Sequence, residues 1–225
     1  MRTVVVTGAS RGIGSEFVAR FLANGWRVYA GYRSDMHRLE VLSNENLICL
    51  KLDVTDNVSI NDFVSKVDGG VDLLINNAGV PDGRWRNIKE IDDEWCLEVL
   101  NINSIGPIRM VKALYDKMKK NSLSKIVMIS SLMGSIEDCH SGRSYAYRAS
   151  KSALNMFTVA MKNECLEDNI ALLILHPGWV KTRMGGENAP VALETSVDGM
   201  MKIIDKYTLA DSGRFLSFDG VDLPW

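Results

Sequence analysis

Thr3-Val4-Val5-Val6-Thr7-Gly8-Ala9-Ser10-Arg11-Gly12-Ile13-Gly14 is the stretch that decides the fold class. Its first half is a short β-branched run suited to a buried parallel strand. Its second half is rich in glycine, and Ser15 to Asn24 continues with Ile13, Phe17, Val18, Phe21 and Leu22 at helical spacing until Gly25. A strand, a glycine turn and a helix make a phosphate cradle. Glycine lets the main chain come close, and the unpaired N–H groups of the helix face the anion. The spacing Gly8-x-x-x-Gly12-x-Gly14 is a variant of the dinucleotide fingerprint, and it marks Gly8, Ser10, Arg11, Gly12, Ile13 and Gly14 as candidate cofactor contacts. A tight turn is the competing reading, and the strand and helix on either side argue against it.

Outward from that stretch, strand and helix alternate. Further strands are expected at Arg27 to Gly31, Leu47 to Leu52, Val71 to Ile75, Lys125 to Ser130, Ile170 to His176 and Arg214 to Phe218. Helices are expected at Ser144 to Glu167 and Val191 to Tyr207, with a long helical span from Asp92 to Lys120 that Gly106-Pro107 should kink or split. No repeat or linker interrupts this pattern. It predicts an α/β protein, a doubly wound parallel sheet (Rossmann fold) in a single domain covering residues 1–225.

The second strand ends in Tyr32-Arg33-Ser34, about where a dinucleotide fold reads the adenosine ribose. An acid there would hold the 2′-hydroxyl, whereas Tyr32 and Arg33, with Arg11 in the glycine turn, can converge on a 2′-phosphate. This points to NADP(H) rather than NAD(H); two solvated surface arginines are the alternative. Asp35 is expected to cap the next helix. Asp53, with Val54 at the end of the third strand, either accepts from the adenine amino group or caps the helix near Asn57. Asn77, Ala78 and Gly79 let the main chain pass close to a cofactor, and Asn side chains there tie adjacent loops.

Tyr147 and Lys151 lie four apart in a segment whose Ala146, Ala149, Ala153, Leu154, Phe157, Ala160 and Met161 repeat helically, so both can serve one site. A fixed ammonium beside a phenol should lower the phenol's pKa and fit it for proton transfer to a carbonyl oxygen. An incidental Tyr and Lys on an amphipathic helix is the bland alternative.

With 225 residues, 46% of them hydrophobic and a net charge of -2, the chain is long enough for a filled core and has no general attraction for nucleic acid or anionic membrane. Cys49, Cys96, Cys139 and Cys165 form no Cys-x-x-Cys pair and are expected as free thiols of a reducing cytosol, with no metal site. Arg2 runs straight into the first strand, so no signal peptide is expected, and the longest apolar runs are too short to span a bilayer. A cytoplasmic protein follows as an expectation.

Thr7-Gly-Ala-Ser-Arg-Gly-Ile-Gly14, Asp53-Val54, Asn76-Asn-Ala-Gly79, Asn103, Ser130-Ser131, Tyr147-x-x-x-Lys151 and Pro177-Gly178-x-Val180-x-Thr182 occur in order between the right elements. In these the chain resembles the short-chain dehydrogenase/reductase family over nearly its whole length. The His-Pro-Gly-Trp-Val-Lys-Thr stretch and the Gly-Val-Asp-Leu-Pro-Trp end resemble its small carbonyl-reductase and C-factor-like branch.

The resemblance implies an NADP(H)-dependent oxidoreductase moving hydride between nicotinamide and a small-molecule carbonyl or secondary alcohol. Tyr147 would be the general acid–base. Lys151 would depress its pKa and hold the nicotinamide ribose, Ser131 would bond the substrate oxygen, and Asn103 would hold a water passing protons to Lys151. Pro177, Gly178, Val180 and Thr182 would grip the carboxamide. A homodimer or homotetramer through the helices at 92–120 and 144–167 is also implied. The stretch from Ser131 to Tyr147 is longer than the family's usual spacing. That leaves Ser130, Ser131 and Ser135 as alternatives for the substrate-facing hydroxyl, with strand alternation favouring Ser131. Tyr145, Trp179 and Met184, with Trp85 and Met133, suggest an apolar substrate pocket, and residues 183–197 a mobile lid. His140 and His176 are expected as loop and strand-end residues. The rival from another class is a non-catalytic NADP(H)-binding sensor or signalling protein on the same fold. An intact Tyr, Lys, Ser and Asn set argues against it, since a sensor needs no proton donor.

Overall fold

The computed structural model describes residues 1–82 and 87–225. Strand β1 (Thr3–Val6) is wholly buried and lies mid-sheet, paired in parallel with β2 (Arg27–Tyr32) on one side and β4 (Leu73–Asn76) on the other. With β3 (Leu47–Lys51), β5 (Ser124–Ile129), β6 (Ile170–His176) and β7 (Phe215–Ser217), the described residues form one parallel sheet in the order β3-β2-β1-β4-β5-β6-β7. The doubly wound sheet expected from the alternation is the one observed. The chain leaves β1 toward β2 and returns to pair β4 on its other flank. That reversal opens a crevice at the carboxyl ends of β1 and β4, where ligands of open α/β sheets bind.

Two apolar layers sandwich the sheet, and the pleat deals alternate residues to each. Val4 and Val6 of β1 meet Phe17 and Phe21 of α1 (Gly12–Ala23) and Val197, Met200 and Ile204 of α7 (Leu193–Lys206). Val5 faces the opposite layer, with Ile60 and Phe63 of α2 (Asn57–Ser65), Met110 and Leu114 of α4 (Gly106–Leu114), and Leu154 of α5 (Tyr145–Ala160). Along β6, Leu173 and Leu175 go to the first layer and Ile170 and Leu172 to the second. This two-faced burial explains why the strands read as unbroken apolar runs.

Several boundaries differ from expectation. β2 extends one residue further, through Tyr32, and β4 begins at Leu73 because Val71 instead bridges Met118. The helix expected at 144–167 divides into α5 and α6 (Lys162–Glu167) at Met161. α7 begins at Leu193 because Val191 pairs with Val180. The span from Asp92 breaks just ahead of Gly106-Pro107. After α3 (Asp93–Leu100), residues Asn101–Ile105 form a wide π turn that leads into α4. Pro107 lacks the N–H that a regular helix would direct at the Asn103 carbonyl, and the wider turn absorbs the mismatch. Asp35 caps nothing. Its carboxylate accepts from the Ser34 hydroxyl, and the short 3₁₀ turn His37–Val41 starts without a side-chain cap. Asp56, not Asp53, caps α2, accepting from the Val58 amide at 2.9 Å.

Candidate active site

The glycine turn is shaped by close approach. Gly8 has φ +61°, and a Cβ there would lie 2.8 Å from Ala78 Cα. A Cβ on Gly14 would lie 2.3 Å from the Gly8 carbonyl oxygen and 2.5 Å from Asn77 Nδ2. The Asn77 side-chain amide donates to the Thr7 and Gly8 carbonyls at 2.9 and 3.0 Å, while the Thr7 hydroxyl accepts from the Asn77 and Ala78 amides, each at 3.0 Å. The loops after β1 and β4 are thereby stitched together, as expected of Asn side chains there. α1 begins after extended Arg11 with no side-chain cap and no acid in its first turn. Its N–H dipoles meet no resident carboxylate there, so the cradle suits a phosphate. A cavity of about 470 Å³ opens over it, lined among others by Ser10, Arg11, Gly12, Arg38, Lys181 and Thr182.

Further along the crevice, α5 crosses the carboxyl end of β5. Lys151 is 5% exposed, and its Nζ donates to the Ile129 carbonyl at 2.8 Å. Burial of its ammonium pulls the pKa down to about 8. Nζ lies 5.7 Å from the centre of the Tyr147 ring, so the two side chains share one face of α5 as their spacing predicted. Burial raises the Tyr147 phenol above its ordinary value, and a hydrogen bond with the Ser131 side chain pulls the other way. Desolvation of the phenol thus prevails here over the depression expected from Lys151. The three serines separate cleanly. Ser130 donates to Asn155 Oδ1 at 2.6 Å, and Ser135 donates to the Trp225 carbonyl at 3.1 Å. Ser131, which also accepts from the Met133 amide at 3.1 Å, is the one facing Tyr147. Asn103, fully buried in the π turn, clamps Val80. Its Oδ1 accepts from the Val80 amide at 2.8 Å, and its Nδ2 donates to the Val80 carbonyl and to Ser150 Oγ at 3.0 and 3.1 Å.

Residues 2–191 match the family described as "short chain dehydrogenase". The chain belongs to that family. Among curated relatives, "C-signal" of Myxococcus xanthus is 38% identical over 157 residues, 70% of this chain and 94% of the relative. The "1-hydroxy-2-glutathionyl-2-methyl-3-butene dehydrogenase" of Rhodococcus sp. (strain AD45) is 30% identical over 233 residues, covering all of both chains. The NADPH-bound carbonyl reductase from chicken fatty liver superposes with a TM-score of 0.92 at 36% identity, over 100% of this chain and 99% of that one.

Within this short chain dehydrogenase, the residues expected to meet the adenosine lie as follows. Tyr32 is half-buried and Arg33 exposed. Burial would raise the Asp53 carboxyl, but the Thr55 hydroxyl and amide, at 2.7 and 2.9 Å, and the charge of Arg33 bring it below the usual carboxylate value. Val54 is buried against Gly106. Sequence reasoning missed Arg38, Lys181 and Arg183, all lining the cavity. The Arg38 amide donates to the Ser10 carbonyl at 3.1 Å, and its guanidinium meets Glu16, 1% exposed, at 2.6 Å. Sequence spacing carries no sign of that contact, because it joins residues 22 apart on separate elements.

At the other wall, Pro177 accepts from Ser196 Oγ at 2.6 Å, and Gly178 has φ +83° with the Phe218 ring where a Cβ would be. Buried Val180 bridges Val191, and Thr182 Oγ1 accepts from the Gly185 amide at 3.1 Å. Thr182 Cγ2 stands 3.5 Å from where a Gly12 Cβ would lie, closing this loop toward the cradle. Trp179 and Met184 are half-exposed, with Trp179 Nε1 donating to the Gly185 carbonyl at 2.7 Å, and Tyr145 opens α5. The expected lid does not reach 197, since residues 193–197 are the first turn of α7, with Ser196 and Val197 buried. Trp85 lies outside the described residues. His176 ends β6 half-buried, its Nδ1 without a hydrogen-bond partner among the described residues, and burial lowers its pKa to about 4. Cys49, Cys96, Cys139 and Cys165 are free thiols, and no described helix is long and apolar enough to cross a membrane.

Gly14→Ala puts its methyl into the Gly8 carbonyl and the Asn77 side-chain amide that donates to that carbonyl. It should weaken dinucleotide binding by at least about tenfold, the equivalent of about 1.4 kcal/mol, while Gly25→Ala, whose Cβ meets nothing within 4 Å, leaves binding unchanged. Isothermal titration with NADPH measures both.

Proposed function

We propose that this short chain dehydrogenase reduces a small-molecule carbonyl with NADPH, Tyr147 donating the proton. One observation carries the reading: the Tyr147 phenol, raised above its ordinary pKa by burial, faces the Ser131 hydroxyl from the helix face that also bears Lys151. A phenol held protonated at neutral pH is equipped to give a proton rather than take one, which favours reduction. When bound, the nicotinamide supplies hydride. Gly8, Ser10, Arg11, Gly12, Ile13 and Gly14 would hold its diphosphate, Tyr32 and Arg33 the adenosine phosphate, Asp53 and Val54 the adenine. Asn77, Ala78 and Gly79 would back the dinucleotide where it crosses the loop after β4, and Pro177, Gly178, Val180 and Thr182 would take the carboxamide. Ser131 would donate to the substrate oxygen as charge builds there, where a preorganised donor contributes most. Lys151 would balance the charge left on the phenolate and hold the ribose. Asn103 fixes the 80 loop beneath them, and a water at its carbonyl would return the proton to Lys151. Tyr145, Trp179 and Met184 would line the entrance. We assign the working form to the cytoplasm, as a homodimer or homotetramer, acting on neither nucleic acid nor membrane.

The likeness to C-signal favours a second reading, a dinucleotide-binding signalling protein without turnover. A carbonyl panel with NADPH separates the two. Wild type should turn over, and Tyr147→Phe should lose about 10²–10⁴-fold in kcat with NADPH affinity kept. A fully active Tyr147→Phe removes the phenol from the mechanism, and an inert wild type that still binds NADPH supports the second reading.

Arg33→Ala should raise KM for NADPH by more than about tenfold while leaving KM for NADH within twofold, since only the former carries the extra phosphate. Equal effects would dismiss the clamp. The pH profile of kcat/KM for NADPH reports the free enzyme. With burial having lowered Lys151 to about 8, its ammonium is present below that pH and lost above it. The profile should therefore be level at pH 6–7 and fall through pH 8–9, and a level profile to pH 9.5 would detach Lys151 from the rate.

A further inference from the structure

The segment 218–225 returns from β7 to the residues that follow Ser131. The Phe218 amide donates to the His176 carbonyl at 2.8 Å, the Ser217 amide to Val221 at 2.8 Å, and the Leu223 amide to Phe215 at 2.9 Å. Arg214 pins Asp222 through Nε at 3.0 Å and Nη2 at 2.6 Å. The Trp225 ring, half-exposed, rests on Phe215 with centroids 5.7 Å apart. Its carbonyl then accepts two bonds from the loop ahead of α5, from Ser135 Oγ at 3.1 Å and from the Glu137 amide at 2.9 Å. Ser135 is 2% exposed, and its hydroxyl also accepts from the Asp138 amide at 3.0 Å.

The opposite side of the same turn is keyed to α5. Ser152 Oγ donates to the Gly134 carbonyl at 2.8 Å, and Gly134 sits so close that a Cβ would lie 2.9 Å from Lys151 Cβ. The turn starting at Ser131 is therefore held between the helix bearing Tyr147 and the carbonyl of Trp225. Between that turn and α5 the chain is strained. Gly142, Arg143 and Ser144 have φ of +64°, +59° and +49°, a left-handed backbone that is unfavourable for the two non-glycine residues. Strain of this kind persists only where both ends are held. Arg148 holds the far end, donating to the Arg143 carbonyl and Ser141 hydroxyl at 3.1 and 3.0 Å. Trp225 holds the near one.

We propose that Trp225 is a positioning residue for the proton-donor pair: its carbonyl fixes the turn at 131–138, and so keeps the Ser131 hydroxyl against Tyr147. This rests on the reading of those two residues given above. Because the Trp225 ring is half-exposed, Trp225→Ala should fold, and Trp225→Phe keeps a ring on Phe215. In Trp225→Ala and Ser135→Ala, kcat for the best carbonyl of the panel should fall about 10–100-fold, as expected of a displacement near 1 Å, with NADPH affinity within twofold of wild type and Trp225→Phe restored. Independently of turnover, the Tyr147 phenol is followed by tyrosinate absorbance as the difference from Tyr147→Phe. Losing the Ser131 contact should move its titration to higher pH in both alanine variants. Should the phenol titrate as in wild type, the proposal is overturned whether or not the protein turns over. Should it shift in the alanine variants while the wild type shows no turnover, the clasp stands and the catalytic reading falls. A loss of kcat matched by lost NADPH affinity, or left unrepaired in Trp225→Phe, also overturns it.

Discussion

A buried ammonium leaning on the main chain of the sheet organises this molecule. Lys151 reaches from α5 to the Ile129 carbonyl at the end of β5, and with little water around it that one bond fixes where the helix crosses the strand ends. A cation in such a place is expensive, and the same burial lowers its pKa. The fold tolerates the cost because the neighbouring turn is built around it. Gly134 is the residue that lets the turn pass against the Lys151 main chain, and Ser152 one residue on secures that turn. Place Lys151 elsewhere and the phenol four residues earlier loses its address.

The crevice end of the sheet is a set of polar ties between loops that the sheet itself does not connect. Asn77 joins the loops after β1 and β4, Asn103 joins the π turn to Val80 and Ser150, and Ser130 joins β5 to Asn155. The ties of Asn77 and Asn103 to the main chain take over where the strand ladders stop and carbonyls and amides would otherwise be unpaired. Rigid apolar layers beneath and short side-chain ties above are what let a shallow cleft hold its shape.

Much of this was readable from residue order. β-branched runs and glycine turns are local signals, so the strands, the cradle and the pairing of Tyr147 with Lys151 followed from spacing alone. Ser131 was separable from its neighbours only once partners were known, because Ser130 and Ser135 differ from it in what they bond, not in what they are. Arg38 escaped because its partner Glu16 lies 22 residues away on another element. The expected lowering of the phenol by Lys151 failed for a related reason: charge spacing is visible in sequence, desolvation is not. The break near Pro107 was legible as a break, but its form as a π turn, which absorbs the missing Pro107 N–H, was not.

The bonds from Ser217 to Val221 and from Leu223 to Phe215 have a consequence for self-association. They occupy the outer rim of β7 with an antiparallel stretch of the same chain, so strand-to-strand joining of two molecules is closed at that side. The remaining rim belongs to β3, five residues long and ending in a lysine, a poor template for adding another strand. Neither rim of this sheet therefore offers a second copy a long open edge to extend.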